Sequence, residues 1–307
     1  MNSLRNIGVP LFVILSGSLL LDRKDTLINF VKKRFSRVII PYIFWGVIFT
    51  LAFAFIFNKG TVMEVALNVF SFTPSDYANF FWFVPMILIT YILIFIINKL
   101  NEYNDKTLII CLILSLVLIT LINLKYLPVT KPIFYFYYPT FAIFGYYLSN
   151  VNLSNKTPRL SNEKLMIIFL IFSILFYLAE VMTDASLSFK ANQFKTISKF
   201  SFLNILVTCC IFLFIRYFKK NGGKIFNYMK KGIIGKIIYS ISICSYGIYL
   251  SHIVIKNYIC LILLPIKSSI SITIFTTFVL IATLLLSWML ILILSKIPIL
   301  DKLSGSA

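Results

Sequence analysis

Nine stretches of this chain are apolar for long enough to cross a lipid bilayer, and that property constrains its fold more than any other. They lie near residues 7–21, 38–57, 80–98, 107–124, 133–149, 164–182, 201–217, 238–262 and 270–294. A hydrocarbon core of about 30 Å is spanned by roughly 17–25 helical residues, and a helix satisfies its own backbone hydrogen bonds where no water can. The expected fold class is therefore all-α, a polytopic transmembrane helix bundle of about nine spans. The first stretch is the shortest, and it carries Gly8, Pro10, Ser16 and Gly17. Composition agrees: 60% of the 307 residues are hydrophobic and 13% are charged. Soluble domains average about 45–50% and about 25%, so there are too few charges here to cover a water-facing surface.

The formal net charge of +19 raises the class of nucleic-acid binders. Such proteins gather basic residues on one folded soluble face, whereas here Lys and Arg punctuate apolar runs, so nucleic acid is excluded as a partner. The basic residues instead report orientation, because cytoplasmic loops are enriched in them. Three clusters fall on one side of the alternating spans: Arg23 to Arg37, Lys156 to Lys164, and Arg216 to Lys236. That side is expected to be cytoplasmic, with the C-terminus on it. Nine spans then put the N-terminus outside, and Met1 to Gly8 resembles neither a signal peptide nor a charged anchor.

No repeat and no long polar block divides the chain, so residues 1–307 are expected to form a single integral membrane domain. The longest outer loops are expected near 58–79 and 183–200, and a basic hinge at Asn221-Gly222-Gly223. Trp45, Trp82, Tyr135, Tyr137 and Tyr138 are candidates for an interfacial aromatic belt. Cys111, Cys209, Cys210, Cys244 and Cys260 sit in apolar runs without metal-site spacing, which makes them small buried hydrophobes and predicts no metal. P-loop, GxGxxG and HExxH patterns are missing, as is a ladder of intramembrane acids.

Within apolar spans the few polar residues must face a bundle interior or a wet cavity, so they are where chemistry is sought. His252 is the only histidine. On a helix Ser245, Tyr249 and His252 fall on one stripe, bringing a hydroxyl, a phenol and an imidazole to one face. Such a stripe suits orienting a hydroxylated substrate, and imidazole suits a general base for a hydroxyl attacking an acyl carbonyl. A histidine that only hydrogen-bonds across the bundle fits the same pattern. Arg34 and Arg37 are three apart where a basic segment enters the bilayer. Paired guanidinium forks there can grip phosphates such as those of coenzyme A, or anchor on anionic lipid heads. Ser16-Gly17 suits either close helix packing or a tunnel wall. Asp22 and Asp25, beside Arg23 and Lys24, form a solvated charge cluster, and Glu180 is either a snorkelling carboxylate or a site residue.

Five segments together resemble the acyltransferase family 3 membrane proteins, which include bacterial O-acetyltransferases of surface polysaccharides and lipid-linked sugars. They are Val9-Pro10-Leu11-Phe12 with Ser16-Gly17, Arg34-Phe35-Ser36-Arg37 with Pro41-Tyr42, Trp82-Phe83-Val84-Pro85, Phe144-Gly145-Tyr146-Tyr147, and Ser245 through His252. The resemblance covers nearly the whole chain. It implies a bundle of about ten helices that takes an acyl group from cytoplasmic acyl-CoA, acetyl-CoA by family default, and delivers it to a glycan hydroxyl at the outer face. It also implies that Arg34 and Arg37 handle the donor, while His252, closing the Ser-x-Gly-Ile-Tyr motif with Tyr249, serves acyl transfer. Family members usually begin with one further helix bearing an arginine and a histidine, and this sequence starts where that helix would end.

The resulting expectation is a multi-pass O-acyltransferase of the cell membrane. Its partners would be the lipid bilayer, a polysaccharide or lipid-linked sugar acceptor, and proteins of glycan synthesis. A non-catalytic exporter or flippase for the same glycans, or an inactive truncated family member, stays open at this level.

Overall fold

A backbone crossing hydrocarbon has to coil to bond to itself, and each of the nine apolar stretches is carried by a helix in the computed structural model. The structure describes residues 2–21, 26–71, 79–103, 106–123, 131–151, 161–191, 201–221, 231–263, 265 and 271–306. Among these there is no strand, and the protein is an all-α polytopic helical bundle. The helices are α1 (Asn2–Leu20), α2 (Leu27–Leu51), α3 (Val62–Phe70), α4 (Phe83–Tyr103), α5 (Thr107–Asn123), α6 (Lys131–Asn150), α7 (Asn162–Ala191), α8 (Phe202–Asn221), α9 (Ile233–Ile262), α10 (Ile272–Leu294) and α11 (Pro298–Ser304). A π turn at Ala52–Ile56 extends α2, and a 3-10 turn at Asn79–Trp82 leads into α4.

Six helical segments among the described residues are long and apolar enough to span a membrane: Ile28–Ile56, Phe80–Leu100, Asn162–Phe189, Phe202–Lys220, Ile233–Ile262 and Ile272–Leu294. Ile7–Leu20 and Thr107–Leu121 are apolar but shorter. In α6 the tyrosines dilute the apolar run. The outward faces are as greasy as the interior: Ile113, Leu114 and Val117 on α5, Ile174 and Leu175 on α7, and Leu280 and Ile281 on α10 are all exposed. In water such surfaces would aggregate; against acyl chains they cost nothing.

The chain forms two compact units, each assembled from two segments. The first comprises residues 1–26 and 89–229. Its α1 crosses α6 at backbone contact: a Cβ added at Gly17 would lie 2.0 Å from the Ala142 carbonyl oxygen, and one at Gly145 would lie 2.0 Å from that of Ile14. Lipid supplies no hydrophobic drive between helices, so such close approach is what holds them. Gly17 therefore serves packing. The last carbonyls of both helices need outside donors. Asn98 donates to Leu20 O at 2.9 Å, and Arg216 donates to Leu148 O and, at 2.7 Å, to Val151 O. Arg216 is thus a helix cap as well as a basic residue of its cluster. The α7–α8 pair closes around Leu165, Leu213 and Tyr217.

The second unit comprises residues 27–88 and 230–307. Here α10 lays a stripe of residues spaced four apart against α9, burying Phe275, Val279, Thr283, Ser287 and Ile291, the spacing that keeps side chains on one helical face. Helix α11 then turns back into the unit and packs on α2. Its final carbonyl, Ser304 O, accepts the Trp45 indole N–H at 3.0 Å, and Gly305 O accepts the Gly247 N–H at 3.3 Å. Gly305 has φ +84°, a left-handed helix stop that glycine adopts without penalty.

Several expectations are corrected. The supposed loop at 58–79 contains α3, started by a capping box between Thr61 and Glu64. Residues 183–191 of the supposed outer loop continue α7. Trp45, Tyr137 and Tyr138 are buried, so they are core residues and not belt residues; Trp82 is half-buried, and the Tyr135 side chain lies outside the described residues. Glu180 is buried, which excludes snorkelling. The five thiols are free, with Cys244 buried and the others half-buried. Asp22, Asp25 and the Gly222-Gly223 hinge lie outside the described residues.

Candidate active site

Arg34 and Arg37, expected to handle the donor, and Tyr249 and His252, expected to serve acyl transfer, lie in the second unit, on α2 and α9. The two helices meet because Gly247 removes a side chain where α9 passes α11: a Cβ there would stand 2.4 Å from Ser304 O. Next to it Tyr246 donates its hydroxyl to Val38 O on α2 at 2.8 Å. Pro41 in α2 has no N–H for the carbonyl of Arg37, so the helix is locally open where its neighbour Val38 takes this second bond.

One turn on, Tyr249 donates its hydroxyl to the Phe80 carbonyl in the 3-10 turn that leads into α4. Its ring packs 5.1 Å from Phe83 and 6.2 Å from Tyr246, centroid to centroid. His252 follows, its ring 5.8 Å from Tyr249 and 5.8 Å edge-on from Phe80. Phe80 in turn contacts Phe49, and Phe81 contacts both Phe49 and Tyr42, so α2, the 3-10 turn and α9 share one aromatic lining. The Nδ1 of His252 lies against the Tyr249 carbonyl. A carbonyl can only accept, so Nδ1 carries the proton, and Nε2 is the basic nitrogen of the neutral ring.

The expected stripe is modified at one end. Ser245 has the right helical angle but lies a turn short of the cover given by Phe80 and Phe83. It is exposed and bonds back to Ser242 O at 2.8 Å. Tyr246 takes its place. That residue and the Phe80–Phe83 cover are the parts of the site that sequence reasoning missed. The Trp82-Phe83-Val84-Pro85 segment carried the only hint, through its position in the resemblance.

The arginines sit at another depth. Arg37 precedes Val38 by one residue and Arg34 by four, while His252 follows Tyr246 by six. At 1.5 Å rise per residue, Arg37 and Arg34 are about 10 and about 15 Å from His252 along the helix axes. Arg37 is exposed and Arg34 half-buried. They are placed in the same unit as His252 but not in contact with it. Among the described residues no group of three His, Cys, Asp or Glu side chains is close enough to hold a metal ion.

Helices with lipid-compatible outer faces and a histidine set among aromatic rings define a polytopic membrane protein with one imidazole inside its second unit. The chain matches the acyltransferase domain of acyltransferase family 3 across residues 1–292 and belongs to that family. No curated protein and no solved structure matches it. It is a membrane acyltransferase.

Proposed function

We propose that this protein moves an acyl group, acetyl in the first instance, from acetyl-CoA on the cytoplasmic side to a hydroxyl of a cell-surface polysaccharide or lipid-linked sugar. The observation that carries the reading is the aromatic-lined His252, with Nδ1–H committed to the Tyr249 carbonyl and Nε2 basic. In this reading the acceptor hydroxyl gives its proton to Nε2 as its oxygen attacks the thioester carbonyl. The new C–O bond forms, the C–S bond breaks, and the proton passes to the departing thiolate. Tyr249 holds the imidazole in place. Arg34 and Arg37 take the phosphates of the donor, and the pantetheine arm reaches up the axial gap to His252. The protein lies in the cell membrane with its C-terminus cytoplasmic, as the basic clusters favour.

The test supplies radiolabelled acetyl-CoA to membranes containing the chain and compares wild type with Arg37→Ala and His252→Ala. Labelled glycan in the wild type with loss in both variants supports the reading. Equal labelling in all three removes both residue assignments, and outward movement of unmodified glycan without any acyl donor would establish an exporter instead.

A further inference from the structure

The second feature of note lies in the first unit, away from the residues given to acyl transfer. Glu180 on α7 is 1% exposed and Asn204 on α8 is fully buried. The Asn204 side chain is the hydrogen-bonding neighbour of the Glu180 carboxyl, but as placed Glu180 Oε2, Asn204 Oδ1 and Asn204 Nδ2 stand outside hydrogen-bonding distance and angle. Tyr137 on α6 also faces Glu180. One turn along from it Thr140, equally buried, has an unpartnered hydroxyl. The other titratable groups nearby are Asp184, one turn along α7, and, beside Tyr137, Tyr138 on α6 and Cys209 on α8. The described side chains of α1, residues 7–20, include none. Among the described residues no Lys or Arg pairs with Glu180.

An ionised carboxylate buried in a membrane helix without a counter-charge neutralises or finds a partner. The identity of the unpartnered atoms says which. Ionised Glu180 can accept from Nδ2 only, leaving Oδ1 turned toward a negative charge. A bound cation satisfies the oxygens but leaves the amide N–H groups without an acceptor. A proton on Oε2 makes that atom a donor to Oδ1 while Nδ2 donates to the other carboxyl oxygen. One proton thus satisfies all three atoms in a cyclic acid–amide pair.

We propose that Glu180 and Asn204 form an intramembrane proton-binding site, in which Glu180 is held as the neutral acid near neutral pH and can store or release one proton inside the first unit. The site stands independently of the acyl-transfer reading. Its test is infrared difference spectroscopy of the full chain in lipid vesicles, with modification by a hydrophobic carbodiimide, which reacts with protonated carboxyls, mapped by mass spectrometry.

Near neutral pH the expected result is a carboxylic-acid carbonyl band and a carbodiimide adduct on Glu180. Both are lost in Glu180→Gln, which keeps the shape and an amide pair and so folds. In Asn204→Leu the band moves to higher frequency as its hydrogen bond is lost. No such band in the wild type, a band unaffected by Glu180→Gln, or a band abolished by added sodium or potassium ions at constant pH would each overturn the proposal, the last in favour of a cation.

Discussion

His252 shows how little separates a structural histidine from a reactive one. Its Nδ1–H is bonded to a carbonyl of its own helix, Tyr249 O, which fixes the ring's rotation and its tautomer at once. Phe80 and Tyr249 then shield the ring without hydrogen-bonding Nε2 from either face. General-base catalysis contributes about 10²- to 10⁴-fold. His252→Ala is therefore expected to lower kcat for acyl transfer by that factor while leaving the melting temperature in detergent nearly unchanged. A loss of transfer accompanied by unfolding would reduce His252 to a packing residue. Tyr249→Phe removes the hydroxyl bond to the half-buried Phe80 carbonyl, a cost of about 0.5–1.5 kcal/mol. Its melting temperature should fall further than that of His252→Ala, with a smaller loss of kcat. At this scale the sequence disclosed the histidine, because it is the only one, and Tyr249, because three residues make nearly a helical turn. It did not disclose Phe80, a partner 169 residues away in an apolar run where one phenylalanine looks like the next. Nor did it choose between Ser245 and Tyr246, since that depends on where the cover from the 3-10 turn ends.

At the scale of elements, the glycines decide which helices touch. Gly17 and Gly145 each leave room only for a facing carbonyl, so alanine at either site has to separate α1 from α6 or bend one of them. Overpacking of this kind costs about 1–3 kcal/mol, and here the obstructing atoms are backbone and cannot rotate away. Gly8 is the internal control, with nothing within 4 Å of an added Cβ; Gly8→Ala should be neutral or stabilise by up to about 1 kcal/mol through helix propensity. Thermal unfolding of the three variants in one detergent ranks them, and equal behaviour of Gly8→Ala and Gly145→Ala would contradict the α1–α6 crossing. Gly247 plays the same part for α9 and α11. Gly247→Ala pushes on Ser304 O and with it on the Trp45 bond, so its effect should be less than additive with that of Trp45→Phe in a double-mutant cycle. The helices themselves were legible from apolar length alone. The short elements α3 and α11 were not, because seven to nine residues carry too little periodicity to stand out from a loop and are held by tertiary contacts such as Tyr42 to Val69 O.

For the molecule as a whole, the sequence's uneven distribution of Lys and Arg is a claim about which side each end of a helix occupies. Helix α2 and its π extension run from the basic segment before residue 38 to the turn at 57–61, a candidate membrane span over Ile28–Ile56. Helix α9 begins at the other large basic cluster. Tyr246 meets Val38 near the start of both apolar runs, and Phe80 ties His252 to Phe49 farther along, so the two helices run in parallel. Their basic ends must therefore share a compartment. Lys32, Lys59 and Lys236 are all exposed, and each can be replaced by cysteine in a background without the five native thiols. In intact cells, a membrane-impermeant thiol reagent should modify Lys59→Cys but neither Lys32→Cys nor Lys236→Cys. In inverted membrane vesicles the pattern should reverse. Modification of positions 32 and 236 from opposite sides would break the parallel arrangement of α2 and α9, and with it the placement of Arg34 and Arg37 on the side from which a cytoplasmic thioester must arrive. Modification of all three from outside the cell would invert the orientation and place Arg34 and Arg37, proposed to bind the donor, where no acyl-CoA is available, which the proposed direction of transfer does not survive.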